Sequence, residues 1–551
     1  MKTTKVQKLS NLKKSFLLFC LYALSGALSA ISFIFPSLWV IGWIAPCAVF
    51  FYEFSYSFTK DTYLKSWLRG ACFFWFFGFL VFSWFLYLYP LDFLGFDPSS
   101  AIGVITLASG GIPLLQSLSY SFVFVYICFL RKRKMLILHP FFSACLIAAS
   151  WTVCEFLQTL TWAGVPWGRL AVGQVGCLAN IQSASLFGSY FITFIMVFSA
   201  ALISHCLILF KNSERKRALA SLSLALCVFL SNFAFGSLRI AFVEKSLDGE
   251  RITAAAIQGN IDFEDKWDDK ITYTIEKYRT LSLEAAENGA ELLVWPETAI
   301  PYDYYETTII PDFFRTSAKD TGAEIIATSF MSDNGDIDTL YNTAMLIYPD
   351  GSADDAVYAK RRLVPFGEFI PMEKFIETVF PPLANMSAIE YPLTPGNKTA
   401  LFDSSHGKIA SLICFDSIYE TLCLESVRNG ANLIVISTND SWFAKSPALA
   451  QHNAQAQLRA VENCRYTVRS ANTGISSIIS PTGKVISSLG DSKEGYVMGE
   501  VQMIEKNTLY TVIGNSFVVI CAAVCLGTVT VFILLSLKEK NKKNNDNSNK
   551  C

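Results

Sequence analysis

Apolar positions run almost unbroken through the first part of the chain, to about residue 245, and then give way to short runs separated by polar turns. Crossing a bilayer as a helix takes roughly 20 apolar residues. Seven runs qualify before residue 245: about 15–35, 37–55, 68–90, 103–130, 138–158, 182–210 and 218–241. An eighth follows at about 511–536. The first starts after a lysine-rich stretch, as a secretory signal does, but six more runs come after it, so it is expected to stay as an anchor.

Between the seventh and eighth runs the pattern changes. Apolar runs at Ile252–Ile257, Glu291–Val294, Glu324–Ala327, Asn342–Tyr348, Ile409–Ile413, Leu433–Ser437 and Gly474–Ile479 predict strands. Turn signals follow two of them, at Pro349-Asp350-Gly351 and Pro481-Thr482-Gly483. Helical spacing over 271–288 and 448–464 falls between strands, which argues for a layered α/β domain. The predicted division is 1–244 as a membrane domain, 245–508 as the α/β domain, 509–537 as an eighth transmembrane helix and 538–551 as a disordered, Asn- and Lys-rich tail.

Charge supplies the orientation. Lysines and arginines crowd the N-terminus (Lys2 to Lys14), the second loop (Lys60, Lys65, Arg69), the fourth (Arg131 to Lys134), the sixth (Lys211 to Arg217) and the tail. The intervening loops carry almost none, Arg169 excepted. By the positive-inside rule both termini are cytoplasmic and 245–508 lies on the outer, periplasmic face of a bacterial inner membrane.

Composition agrees: the chain is 52% hydrophobic with 45 Phe and 11 Trp, and a net charge of -1 implies no nucleic-acid partner. Of fifteen cysteines only Cys414, Cys423 and Cys464 fall in the α/β part, an odd number that leaves a free thiol there unless one pairs outside. With four histidines and no zinc-type Cys spacing, no metal site or cofactor is expected. A Cys–His dyad would require His452 to fold back on Cys414. The loop Thr161–Gly173, rich in Trp, Gly and Pro, reads either as an interfacial aromatic belt or as the floor of a lipid-facing site. Glu155, just before it, is either an interface residue or part of that site.

Three residues close predicted strands. Cys414 ends Ile409–Ile413 where a helix is expected to begin, a position that favours thiolate. Glu297 follows a strand and Pro296; Lys360 lies in Tyr358-Ala-Lys-Arg-Arg. Taken singly they read as a buried cysteine and two surface charges. Together, Trp295-Pro-Glu-Thr, Lys360-Arg-Arg-Leu-Val-Pro-Phe-Gly-Glu368 and Ile413-Cys-Phe-Asp resemble the three signatures of the nitrilase superfamily. With seven spans before the domain and one after, the chain resembles the apolipoprotein N-acyltransferase family within it.

That resemblance implies an αββα sandwich, a Glu297–Lys360–Cys414 catalytic triad and ping-pong acyl transfer. The implied donor is a phospholipid, phosphatidylethanolamine being typical, which gives its sn-1 chain. The implied acceptor is the α-amino group of the diacylglyceryl-cysteine that begins an apolipoprotein. Glu368 matches a supporting position, and Trp267, Phe415, Asp416 and Trp442 are candidates for lining or orienting the substrate pocket. The family often has Tyr-Glu after the nucleophile where this chain has Phe415-Asp416. The chain is expected to act as a monomer. Apolar segments at Phe375–Leu383 and at Trp442-Phe443 with Pro447–Leu449 are expected to be mobile arms that admit acyl chains from the bilayer. The alternatives are a membrane-anchored nitrilase-type amidohydrolase, with water as second substrate, and a receptor or transporter, which the scarcity of charge within the spans disfavours.

Overall fold

The computed structural model describes residues 2–55, 62–91, 96–161, 164–247, 249–261, 271–333, 336–379 and 393–548. Among these, eight helical segments are long and apolar enough to cross a membrane: Lys13–Phe33, Pro36–Ser55, Tyr63–Val81, Pro98–Lys132, Pro140–Leu157, Ser189–Lys211, Arg215–Ser246 and Ser516–Lys542. Each matches a run predicted from hydropathy. The first four meet at Glu53, which is fully buried and takes Arg69 (2.7 Å), Arg131 and the Tyr22 hydroxyl (2.6 Å). A buried carboxylate in such a place survives only when paired.

The last helix runs on from Ser516 to Ser548, so the expected disordered tail is not met over 538–548. Once a long apolar helix is nucleated, extending it by a few polar residues costs little.

Among the described residues the α/β part contains thirteen strands: β1 (Arg251–Gln258), β2 (Leu292–Val294), β3 (Ile300–Asp303), β4 (Glu324–Asp333), β5 (Asp336–Ile347), β6 (Ala353–Ala359), β7 (Leu401–Ser404), β8 (Gly407–Ile413), β9 (Leu433–Thr438), β10 (Thr467–Ala471), β11 (Ser476–Ile479), β12 (Val485–Leu489) and β13 (Gly495–Gln502). They form two sheets. One has the order β13-β1-β2-β4-β5-β6, with β3 also on β4, and the other β12-β11-β10-β9-β8-β7. β1, β2 and β4 are mutually parallel, as are β8, β9 and β10.

Parallel strands covered on both faces read as continuous apolar runs, as β1, β2 and β9 do. In the first sheet Ala254, Ala256, Val294 and Ile326 join the core shared with the second sheet. Their neighbours Ala255, Ile257, Leu293 and Ile325 pack with Tyr278, Leu281, Phe313 and Phe314 of helices Ile271–Glu287 and Ile309–Thr321. Helices Glu420–Arg428 and Ala448–Asn463 lie on the second sheet, completing an α-β-β-α sandwich.

Those last two helices also carry the membrane part. Arg169 pairs with Glu420 at 2.8 Å, and both are fully buried. The Tyr190 hydroxyl reaches the other oxygen of Glu420 (3.0 Å), and the Ser189 amide donates to Glu462 (2.9 Å). Gln451 accepts from the Trp167 indole (2.5 Å) and donates to the Phe33 carbonyl (3.2 Å). The arginine that broke the loop-charge pattern is thus an internal clamp between the two parts.

Candidate active site

Glu297 lies just beyond β2, where the chain has left the ladder. Trp295 is anchored in the outer core by its indole N–H to Ser282 (3.0 Å), and its carbonyl accepts from Ser437 of β9 (2.8 Å). The glutamate is thereby drawn to the end of the sandwich where the two sheets meet. Its Oε1 accepts from Asn342 Nδ2 (2.9 Å) and Lys360 Nζ (2.7 Å), and its Oε2 from the Asn439 amide (2.9 Å).

Lys360 directly follows β6 and is fixed by its amide to the Asn342 carbonyl (2.8 Å). Its ammonium bridges two carboxylates, Glu297 and Glu368, each at 2.7 Å. Glu368 is held in turn by the Val364 amide (2.8 Å). The neighbouring carboxylates more than offset burial and hold the Lys360 pKa well above the ordinary lysine value. Burial drives Glu368 upward despite Lys360.

Cys414 follows β8 with φ of 49°, the left-handed region that non-glycine residues rarely occupy. It opens a short 3-10 turn, Cys414–Ile418, and the α-helix starts only at Glu420. The expectation of a thiolate at a helix N-terminus is therefore reversed. Burial and the Glu297 carboxylate push the thiol well above its ordinary pKa, while Lys360 and a hydrogen bond from Thr438 pull the other way and only partly offset this. The resting group is a thiol rather than a thiolate. Cys414, Glu297 and Lys360 are 7%, 5% and 1% exposed, a closed cluster of acid, amine and sulfur.

The remaining predicted residues divide. Asp416 is fully buried: it accepts from the Arg362 amide (2.7 Å), the Tyr358 hydroxyl (2.8 Å) and, at 3.3 Å, the Arg361 amide. It ties the segment after Lys360 to the turn of Cys414. Phe415 is also buried and packs edge-on against Tyr419. Trp442 is half-buried in the 3-10 turn Asp440–Phe443. Trp267 lies outside the described residues.

The two apolar segments behave differently. Helix Glu373–Val379 exposes Phe375 and Val379, and residues 380–383 lie outside the described part. The second segment is not an exposed arm: Phe443 packs against Trp84 (5.0 Å), Trp167 (5.5 Å) and His452 (5.8 Å), and Leu449 is buried. Its apolar residues find partners in the membrane part that a reading of local sequence did not supply. Trp167 is buried in the same cluster, so the Trp-rich loop contacts the surroundings of the site. Glu155 is fully buried and accepts from the Leu170 amide (3.0 Å) and Thr193 (2.7 Å), bracing that loop from below. His452 does fold back on Cys414, but its ring nitrogen meets the carbonyl oxygen, at 3.3 Å. Cys414, Cys423 and Cys464 are all free thiols.

An α-β-β-α sandwich that closes over a buried glutamate, lysine and cysteine, and that is seated on eight membrane-length helices, defines a multi-pass membrane branch of the nitrilase superfamily. The Carbon-nitrogen hydrolase family matches residues 253–506, and the Apolipoprotein N-acyltransferase N-terminal domain matches residues 25–202. The chain is 32% identical over 399 residues to the apolipoprotein N-acyltransferase of Geobacter metallireducens, covering 71% of this chain and 74% of that one. It is 29% identical to that of Gloeobacter violaceus over 466 residues, 81% and 82% of the two chains. The chain belongs to the apolipoprotein N-acyltransferase family.

Proposed function

We propose that the protein N-acylates lipoproteins in two half-reactions at Cys414. Glu297 takes the thiol proton, and the sulfur attacks an ester carbonyl of a phospholipid. The oxyanion that develops lies within reach of the Lys360 ammonium, which its two carboxylates keep charged. Collapse expels the lysophospholipid alkoxide, protonated by Glu297, and leaves a thioester on Cys414. The α-amino group of a diacylglyceryl-cysteine then attacks that thioester, Glu297 takes the amine proton, and the thiol is regenerated as the amide forms.

The observation that carries this reading is the Lys360 ammonium, bridging Glu297 and Glu368 at 2.7 Å each beside a buried thiol. Phosphatidylethanolamine is the donor we assign, and helix Glu373–Val379 with its exposed Phe375 is the element we assign to the bilayer surface.

The catalytic part is read as periplasmic and both termini as cytoplasmic. Arg69 and Arg131 converge on one carboxylate, and Arg133 donates to Ser536 (3.0 Å) just before the lysine-rich end. The positive loops and the C-terminal end of the last span thus share one side, which supports that orientation.

The test is phosphatidylethanolamine labelled in its acyl chains, incubated with the protein in vesicles and chased with a diacylglyceryl lipopeptide. Transfer predicts a labelled N-acyl lipopeptide that is absent when the peptide amine is blocked. Release of free fatty acid alone would favour the hydrolase reading and refute this one.

A further inference from the structure

A second set of buried polar groups converges on the main chain of Cys414. His452, on helix Ala448–Asn463, turns Nε2 toward the Cys414 carbonyl oxygen (3.3 Å) and toward Ser417 Oγ (3.1 Å). The Ser417 hydroxyl donates to the same carbonyl at 2.7 Å. A carbonyl can only accept, so this contact requires the proton on Nε2.

The other ring nitrogen, Nδ1, faces Asp440 Oδ1 and an Arg469 nitrogen, each at 3.0 Å, while Arg469 donates to Asp440 Oδ2 at 2.7 Å. Two ring forms suit these neighbours. The neutral ring accepts from Arg469, and the cationic ring donates to Asp440. Both keep Nε2–H. The ring is walled by Trp167 (5.6 Å) and Phe443 (5.8 Å), and His452, Asp440 and Arg469 are each at most 1% exposed.

Cys414 has its φ at 49°, and a residue so strained persists only where its surroundings over-determine it. We propose that His452 is a positioning residue: its Nε2–H, with the Ser417 hydroxyl, holds the carbonyl of the left-handed Cys414 turn and so aims the sulfur at Glu297, while Asp440 and Arg469 fix the ring. The Glu–Lys–Cys cluster thereby gains a support from the second sheet's helix layer, the layer that rests on the membrane part through Trp167. The inference rests on the reading of Cys414 as the nucleophile.

The test uses the full-length protein with His452→Gln, His452→Asn and His452→Leu. A glutamine amide nitrogen reaches the place of Nε2, whereas an asparagine amide reaches only that of Nδ1. We expect His452→Asn and His452→Leu to lose about 100-fold in kcat, with KM for phospholipid within about twofold, and His452→Gln to stay within about tenfold of the parent. The rate of Cys414 alkylation by iodoacetamide, which needs no lipid, follows the same order. If His452→Leu does not fold, the Asn and Gln pair decides. Equal kcat for Asn and Gln, or alkylation at the parental rate in both, overturns the inference. Retained acyl transfer in Cys414→Ala would instead overturn the assignment of the nucleophile, and the alkylation order remains readable in that case.

Discussion

Asp416 offers the sharpest test of how the site is held together. It has short contacts with the Arg362 amide (2.7 Å) and the Tyr358 hydroxyl (2.8 Å), in a place with no access to water. Asp416→Ala leaves the buried Tyr358 hydroxyl and the part-buried Arg362 amide without an acceptor, at up to about 1–3 kcal/mol each, or about 2–6 kcal/mol together. Burial already holds the Asp416 carboxyl above its usual pKa, so removing it returns some desolvation energy, and we expect about 2–4 kcal/mol. Asp416→Asn keeps one oxygen for Arg362 and turns its amide to Tyr358, whose hydroxyl can rotate from donor to acceptor, so the loss is about 1 kcal/mol. For a domain of this size each kcal/mol moves the melting midpoint by about 2–4 °C, which separates the two variants by several degrees. Thermal melting in detergent, run as a double-mutant cycle with Tyr358→Phe, should also give a coupling of about 1 kcal/mol. Equal midpoints for the Ala and Asn variants, or additive effects with Tyr358→Phe, would refute this account of the turn.

Other consequences follow from the same geometry. Glu297→Gln keeps one acceptor oxygen for Asn342 and Lys360 but sets its NH2 against the Asn439 amide and removes the base, so thioester formation should fall by about 10²–10⁴-fold in a single-turnover assay, with a lowered melting midpoint. Because the Cys414 thiol titrates above its ordinary value, iodoacetamide alkylation of the parent should climb by about tenfold per pH unit through neutral and mildly alkaline pH. Lys360→Met removes the charge that lowers that pKa, so its alkylation at neutral pH should be slower still; a faster reaction would show that the lysine does not act on the sulfur. Phe375→Asp, on the exposed face of helix Glu373–Val379, should weaken transfer from vesicles more than from short-chain phospholipid in detergent, read as the ratio of the two rates.

The eight spans were legible because hydropathy over about 20 residues is a long, redundant signal. The parallel strands β1, β2, β8 and β9 were legible for a similar reason, each being apolar on both faces. The edge strands were harder to see. β7, β12 and β13 are short or alternate only weakly, and their places depend on partners more remote in sequence. Glu297, Lys360 and Cys414 stood out through their motifs, but the charge state of the sulfur did not. It depends on the burial and the neighbouring Glu297 that only the folded chain supplies. His452 and Asp440 gave no local signal either, since eleven residues of loop and helix lie between two side chains that meet at 3.0 Å. The role of Arg169 was hidden in the same way, because its partner Glu420 lies in the other part of the protein.

The most direct test of the central claim is the mass of Cys414 itself. Protein mixed with phosphatidylethanolamine in the absence of an amine acceptor, acid-quenched and digested with trypsin, should yield the peptide spanning residues 409–428 carrying one fatty acyl group that hydroxylamine removes. The same peptide should return to its free-thiol mass once a diacylglyceryl lipopeptide is added, as the N-acyl product appears. An unmodified 409–428 peptide under conditions where N-acyl lipopeptide is still made would contradict the account.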